Sequence, residues 1–173
     1  SEPTLESNLY SKPINISKNT VIRARIYKPL CIPGIIRSKT YLFDSPSKLP
    51  VVSVSTDSVN LWDVQTGIYV LGDEYENKIP FFGANFWEDW EKPASVEMIN
   101  TNGEKSFSLN CGISIFGNFS RANNQKSLAV HFRNEYGDPE LKNTQLFSTK
   151  TISDFTSLVL RNSGNDFAYS KMR

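Results

Sequence analysis

Sulfur and imidazole are scarce in this chain: 173 residues include two cysteines, two methionines and one histidine. No C-x-x-C pair and no Cys/His cluster with metal-ligand spacing occurs, so neither a zinc site nor a disulfide framework is indicated. Cys31 and Cys111 lie far apart, in segments that read as different units, and both are expected as buried thiols. Neither sign of charge is in excess. Lys plus Arg is 19 and Asp plus Glu is 18, a formal net charge of +1, without the basic surplus of a nucleic-acid-binding domain. No stretch of about 18 apolar residues exists, so no helical membrane span is expected. Internal repeats, low-complexity tracts and a signal-peptide pattern at Ser1 are also missing; if the chain starts inside a module, that last absence says nothing about export.

What is present supports a folded core. Hydrophobic residues make up 39% and aromatics 12%, enough for one ordinary domain or two small ones. Residues 20–27 alternate, with Ile22, Ala24 and Ile26 on the expected apolar face, and 35–43 read as the returning strand. The turn-rich stretch 43–50 is the best domain boundary. Residues 51–56 are a β-branched run, followed by a short turn that Thr56 and Asp57 can cap. Residues 67–71 read as a short strand. Further strands are expected over 95–99, 107–116, 126–133 and 156–160, with Asn102–Gly103 as a hairpin turn. Residues 72–85 and 134–150 read as excursions, and 169–173 as the start of a helix.

The most informative stretch is 107–133, FSLNCGISIFGNFSRANNQKSLAVHFR. Two alternating runs flank a loop that holds Gly117, Ser120 and Arg121, and Lys126 opens the returning strand. Glycine backbone amides with fixed cations nearby suit a polyanion. The spacing matches neither the P-loop nor G-x-G-x-x-G, and the plain alternative is a surface hairpin with a basic tip. On the returning strand Leu128, Val130 and Phe132 face one way, and Ala129, His131 and Arg133 the other. No serine is singled out as a partner for His131, so no catalytic triad is read. Phe86, Trp87 and Trp90 beside Glu88, Asp89 and Glu91 invite a sugar-stacking or acid–base reading. Rings anchored in the core and a solvated acidic edge are the readings adopted. No residue is assigned a catalytic or metal-binding role.

GISIFGNFSRANNQKSLAVHFRNEYG, followed by SDFTSLVLRNSGND, closely resembles the CotH family of spore-coat-type atypical protein kinases. The residues that carry the resemblance are Gly112, Gly117, Ser120, Arg121, Lys126, Ser127, Phe132 and Arg133, then Arg161, Asn162, Gly164, Asn165 and Asp166. It begins near Leu49 and covers residues 49–173, the N-terminal part of such a domain. It implies that Lys126 neutralises nucleotide phosphates, with Arg121 and the loop from Gly117 to Ser120 nearby and Arg161 and Asn162 supporting the pocket. The family's Asn-Trp-Asp catalytic segment is not found. Trp62–Asp63 is the only Trp-Asp pair and reads as a helix or turn element. The resemblance therefore implies a fragment that lacks the catalytic acid, with ATP and a divalent metal as cofactors of an intact parent and a protein as phosphate acceptor.

Ser-Glu-Pro-Thr at the start, Tyr10 with Pro13–Ile14, and TVIRAR at 20–25 resemble the last part of a chitobiase/beta-hexosaminidase C-terminal-like module, a small Ig-like sandwich, over residues 1–44. The fold expected is α+β and β-rich: partial Ig-like strands followed by a strand-rich kinase-like lobe. The alternative is a non-catalytic β-rich binding or structural module, with carbohydrate as a candidate partner. The resemblance of residues 1–44 implies a secreted or cell-surface protein, and the low cysteine count favours a bacterial one.

Overall fold

The computed structural model describes residues 1–43 and 48–162. Part of the 43–50 boundary, together with Gly164, Asn165, Asp166 and the helix start read at 169–173, lies outside the described residues. The described residues are β-rich, with two antiparallel sheets and little helix. Strands β1 (Thr20–Ala24) and β2 (Arg37–Tyr41) form a two-stranded sheet. Strands β3 (Val51–Thr56), β4 (Lys92–Ile99), β5 (Lys105–Phe116), β6 (Ser127–His131) and β7 (Ser157–Leu160) form a five-stranded sheet in sequence order. Helix α1 (Ser58–Trp62) is one short piece, started by Asp57, whose carboxylate accepts the Val59 N–H. No described helix is long and apolar enough to cross a membrane.

Period-two alternation divides the larger sheet into two unlike faces. Ala94 and Val96 of β4, Cys111, Ile113 and Ile115 of β5, and Val130 of β6 lie in the core. Register places Ile113 opposite Val130 and Ala94 opposite Cys111. Ile68, Ala84 and Phe86 from the long β3–β4 connection, and Leu141 from the β6–β7 connection, complete that core. The opposite face carries Ser53, Ser95, Glu97, Asn110, Ser114 and His131, read from the same registers. Pro93 sits within β4, one residue past the last β3 pair, Thr56↔Ala94. Its missing N–H therefore removes no bond to β3.

The β1–β2 hairpin docks on the polar face through hydrogen bonds. Ser38 Oγ donates to Ser95 Oγ at 3.0 Å, Ser95 Oγ to Asn110 Oδ1 at 2.8 Å, and Asn110 Nδ2 to the Ile36 carbonyl at 3.0 Å. Thr40 donates its N–H to Glu97 Oε2 at 2.5 Å and its hydroxyl to Ser53 Oγ at 2.8 Å.

Three expectations are corrected. Residues 67–71 are not a strand: Ile68 and Tyr69 donate their N–H groups to the carbonyls of Asn60 and Leu61, wrapping the segment around α1. Ile26 is 79% exposed, because β1 ends at Ala24 and the flanking Arg25 and Tyr27 are the side chains that find partners. Arg25 donates to Gly34 O and Glu2, and the Tyr27 hydroxyl donates to Pro3 O. Cys31 is exposed and Cys111 is buried, and both are free thiols. Burial, followed by the Glu91 charge, pushes the Cys111 thiol up to about 12.

Candidate functional site

The β5–β6 hairpin pairs antiparallel, with Phe116 opposite Ser127 and Gly112 opposite His131. Its connection leaves β5 at Gly117, whose φ of +121° favours glycine. One 3-10 turn follows over Phe119–Ala122. The end of β7 lies beside the start of β6, because Leu160 pairs with Leu128. This register carries Arg161 and Asn162 to the hairpin connection. The Asn162 N–H donates to Ser127 Oγ at 3.0 Å, Ser127 Oγ donates to Asn162 Oδ1 at 2.9 Å, and Asn162 Nδ2 donates to Gln125 O at 2.5 Å.

An open cleft of about 470 Å³ lies between these segments. Gly117 and Ser120 from the loop, and Arg161 and Asn162 from the end of β7, line it. Asn118, Ser127, Phe116 and Val159 also line it, and sequence reasoning had not assigned them to the site. Ser127 carried a signal, the Lys-Ser pair. Asn118 and Val159 depend on loop conformation and strand register and carried none.

Arg121 and Lys126 are not among the residues that line the cleft. Arg121 Nε donates to Gly117 O at 2.8 Å, and Nη1 donates to Phe86 O and Trp87 O at 3.2 Å each. Lys126 is withdrawn from the surface, the residue being only 9% exposed. Its Nζ donates to Arg121 O at 2.6 Å and Asn123 O at 3.0 Å, and lies 3.9 Å from the centre of the Phe86 ring. Burial pushes the Lys126 ammonium down to about 8.

A second polar cluster lies on the same sheet face. Ser114 Oγ is 2.9 Å from His131 Nε2, so the serine that alternation alone did not single out comes from the neighbouring strand. Glu91 Oε2 is 3.9 Å from the same ring nitrogen. A triad uses the two ring nitrogens separately, so this arrangement is not one. Glu91 is half-buried rather than part of a solvated edge, and Arg133 Nε and Nη2 donate to its two oxygens at 2.9 and 3.0 Å. Burial works to raise the Glu91 pKa. The bonds from Arg133 and Tyr136, with the nearby His131 charge, outweigh it and hold the carboxyl below the usual range.

Phe86 is buried, and Trp87 and Trp90 pack against the core, as anchoring rings do. Beside Trp87, Phe82 and Phe119 are exposed, with ring centroids 6.5 Å apart. Among the described residues, no group of three or more His, Cys, Asp or Glu could hold a metal ion.

A family model described as Fn3 associated matches residues 1–41, the stretch that also resembles the end of an Ig-like module. No curated protein and no solved structure matches the chain.

Proposed function

We propose that this chain is the strand-rich, anion-facing part of a CotH-like phosphotransferase, preceded by the end of an Ig-like module, in a secreted or cell-surface bacterial protein. The observation that carries this reading is the cleft. Gly117, Ser120, Arg161 and Asn162, drawn from two segments about forty residues apart, line one opening. Its described lining has one cation and several neutral donors and no carboxylate, which suits a phosphate group. Arg161 supplies the charge, and Ser120 and the Asn118 amide supply neutral donors.

Phosphoryl transfer also needs a metal-holding acid and a group that orients the acceptor hydroxyl. The cleft lining offers no ligand set for a divalent cation, so no step is assigned to a metal here. On this reading those parts belong to other segments of a longer protein, and ATP binds weakly to this chain alone, without transfer to a protein acceptor. The test is calorimetric titration of ATP with a divalent metal into this chain, the longer parent and Arg161→Gln in each. Binding by the parent that falls about tenfold in the variant supports the reading. Equal affinity in variant and parent removes the cleft from nucleotide binding.

One observation favours a second reading, a non-catalytic carbohydrate-binding module. Phe82 is 45% and Phe119 is 64% exposed beside the half-buried Trp87, a platform on which a sugar ring can stack. Glycan-array binding that is lost in Phe119→Ala but kept in Arg161→Gln would select it.

A further inference from the structure

We propose that Arg121 and Lys126 are positioning residues, two opposed cations that lock the 117–125 loop by its carbonyl groups and so shape the cleft, rather than ligands of the anion within it. This rests on the anion-cleft reading above for its functional consequence, and on loop geometry for its own content.

The loop needs such a brace. Between β5 and β6 it has one 3-10 turn, and the left-handed Gly117 at its start favours no single exit direction. Arg121 ties the beginning of the loop down, from Gly117 O to the Phe86 and Trp87 carbonyls. Its guanidinium also lies 5.7 Å from the centre of the Trp87 ring. Lys126 ties the middle, reaching back to Arg121 O and Asn123 O. Its third ammonium direction is taken by the Phe86 ring face at 3.9 Å. The backbone N–H of Lys126 donates to the Tyr69 hydroxyl at 2.7 Å, which fixes where the side chain starts. The brace thus runs from the loop to the core turn that carries Phe86 and Trp87.

The oxygens of Gly117, Asn118, Ser120, Arg121, Asn123 and Gln125 each accept a donor from the loop, from one of the two cations or from Asn162. A carbonyl turned to an internal donor presents little negative charge to an anion. The cleft is therefore made receptive by cations that do not line it, and Arg161 remains as the cation that does.

The titratable group facing the Lys126 ammonium is Tyr69, from the segment after α1; Arg121 meets it through its backbone carbonyl. A neutral amine keeps two N–H donors for the same two carbonyls, so the brace survives deprotonation. A phosphate ligand would behave differently, because it needs the charge.

The experiment uses this chain labelled for NMR, with sulfate as the probe because its charge is constant from pH 7 to 9. Lys126→Met and Arg121→Met should each speed hydrogen exchange at the amides of residues 121 and 123, which are bonded within the loop, by tenfold or more, and weaken sulfate binding. Arg161→Gln should weaken sulfate binding and leave those amides protected. In the unmutated chain the Lys126 Cε signal should stay in place on adding sulfate, and affinity should hold from pH 7 to 9. A Cε shift that follows saturation, or a tenfold affinity loss through pH 8, would make Lys126 a ligand and overturn the inference. So would unchanged loop protection in both brace variants; if Lys126→Met does not fold, Arg121→Met decides. Failure of the unmutated chain to bind sulfate sinks the cleft reading, and the brace is then judged on loop protection alone.

Discussion

The carboxylate of Glu91 lies directly over the backbone of Gly112. A Cβ added at Gly112 would sit 2.0 Å from Glu91 Oε1 and 2.6 Å from its Cγ. Strand β5 therefore has a glycine where the side chain of Glu91 crosses it to reach Arg133 and His131. The need is for space, since Gly112 itself holds ordinary strand pairing with Pro93 and His131.

Gly112→Ala should push Glu91 off Arg133 and destabilise the fold by about 1–3 kcal/mol, the usual cost of overpacking. The same substitution in a Glu91→Ala background should cost much less. Urea denaturation of the four proteins measures the coupling. An equal cost in both backgrounds would mean that Glu91 does not occupy the space above Gly112.

Lys126 has a pH signature with a defined sign. Its folded value is lowered from 10.5 to about 8, so the unfolded chain binds the proton more tightly. Stability from this group is lower below about pH 8, and it is gained as pH rises toward the unfolded value. Between pH 8 and 9 the gain should be about 1 kcal/mol. Above pH 9 the raised Cys111 thiol acts in the opposite direction, so the lower window is the clean one. Chemical denaturation at pH 7, 8 and 9 should show the rise in the unmutated chain and not in Lys126→Met. A fall over that window would contradict the burial of the ammonium.

Glu97 should make hairpin docking acid-sensitive. Burial works to raise its pKa, but Lys105 at 2.5 Å and the Thr40 hydrogen bonds outweigh it and leave the carboxyl below 4.5. Such a depressed acid contributes stability above its unfolded value, and that contribution is lost as pH falls through the folded value. Glu97→Ala should cost about 1–3 kcal/mol at pH 7 and progressively less below pH 4.5. Denaturation curves from pH 3 to 7 check this, and a pH-independent cost would remove the carboxylate from the interface.

Gly117→Ala should loosen the cleft loop. The position has a φ of +121°, and an added Cβ would lie 2.5 Å from Ser120 Oγ. A cost of about 1–3 kcal/mol is expected from backbone strain, read as a lower melting temperature together with faster amide exchange at residues 121 and 123. An unchanged melting temperature would show that the loop accepts another exit from β5.

Much of the larger sheet was legible because alternation is a local property. The run at 51–56 became β3 with those bounds, Asp57 capped α1, and the hairpin paired as its two alternating arms implied. Face assignment on β6 also held, with Val130 in the core and His131 opposite. It failed just past the end of β1, where polar residues have partners of their own. Ile26 was read as an inner residue, yet Arg25 and Tyr27 hold the N-terminal segment and Ile26 is left outside.

The sequence by itself determined the period-two pattern, the turn glycines and hence a β-rich chain, because these depend on side-chain sterics within a few residues. Tertiary structure alone decided what the polar groups do. Thr40 meets Glu97 across 57 positions, Ser127 meets Asn162 across 35, and Ser114 meets His131 only through the β5–β6 register. Lys126 is the clearest case. Its place at the start of a strand reads as an exposed cation, but the Phe86 ring and two loop carbonyls surround its ammonium and take it out of water. A lysine's four-carbon stem can reach solvent or fold back under a loop. The choice depends on which acceptors lie within its reach, and only the folded chain brings them together.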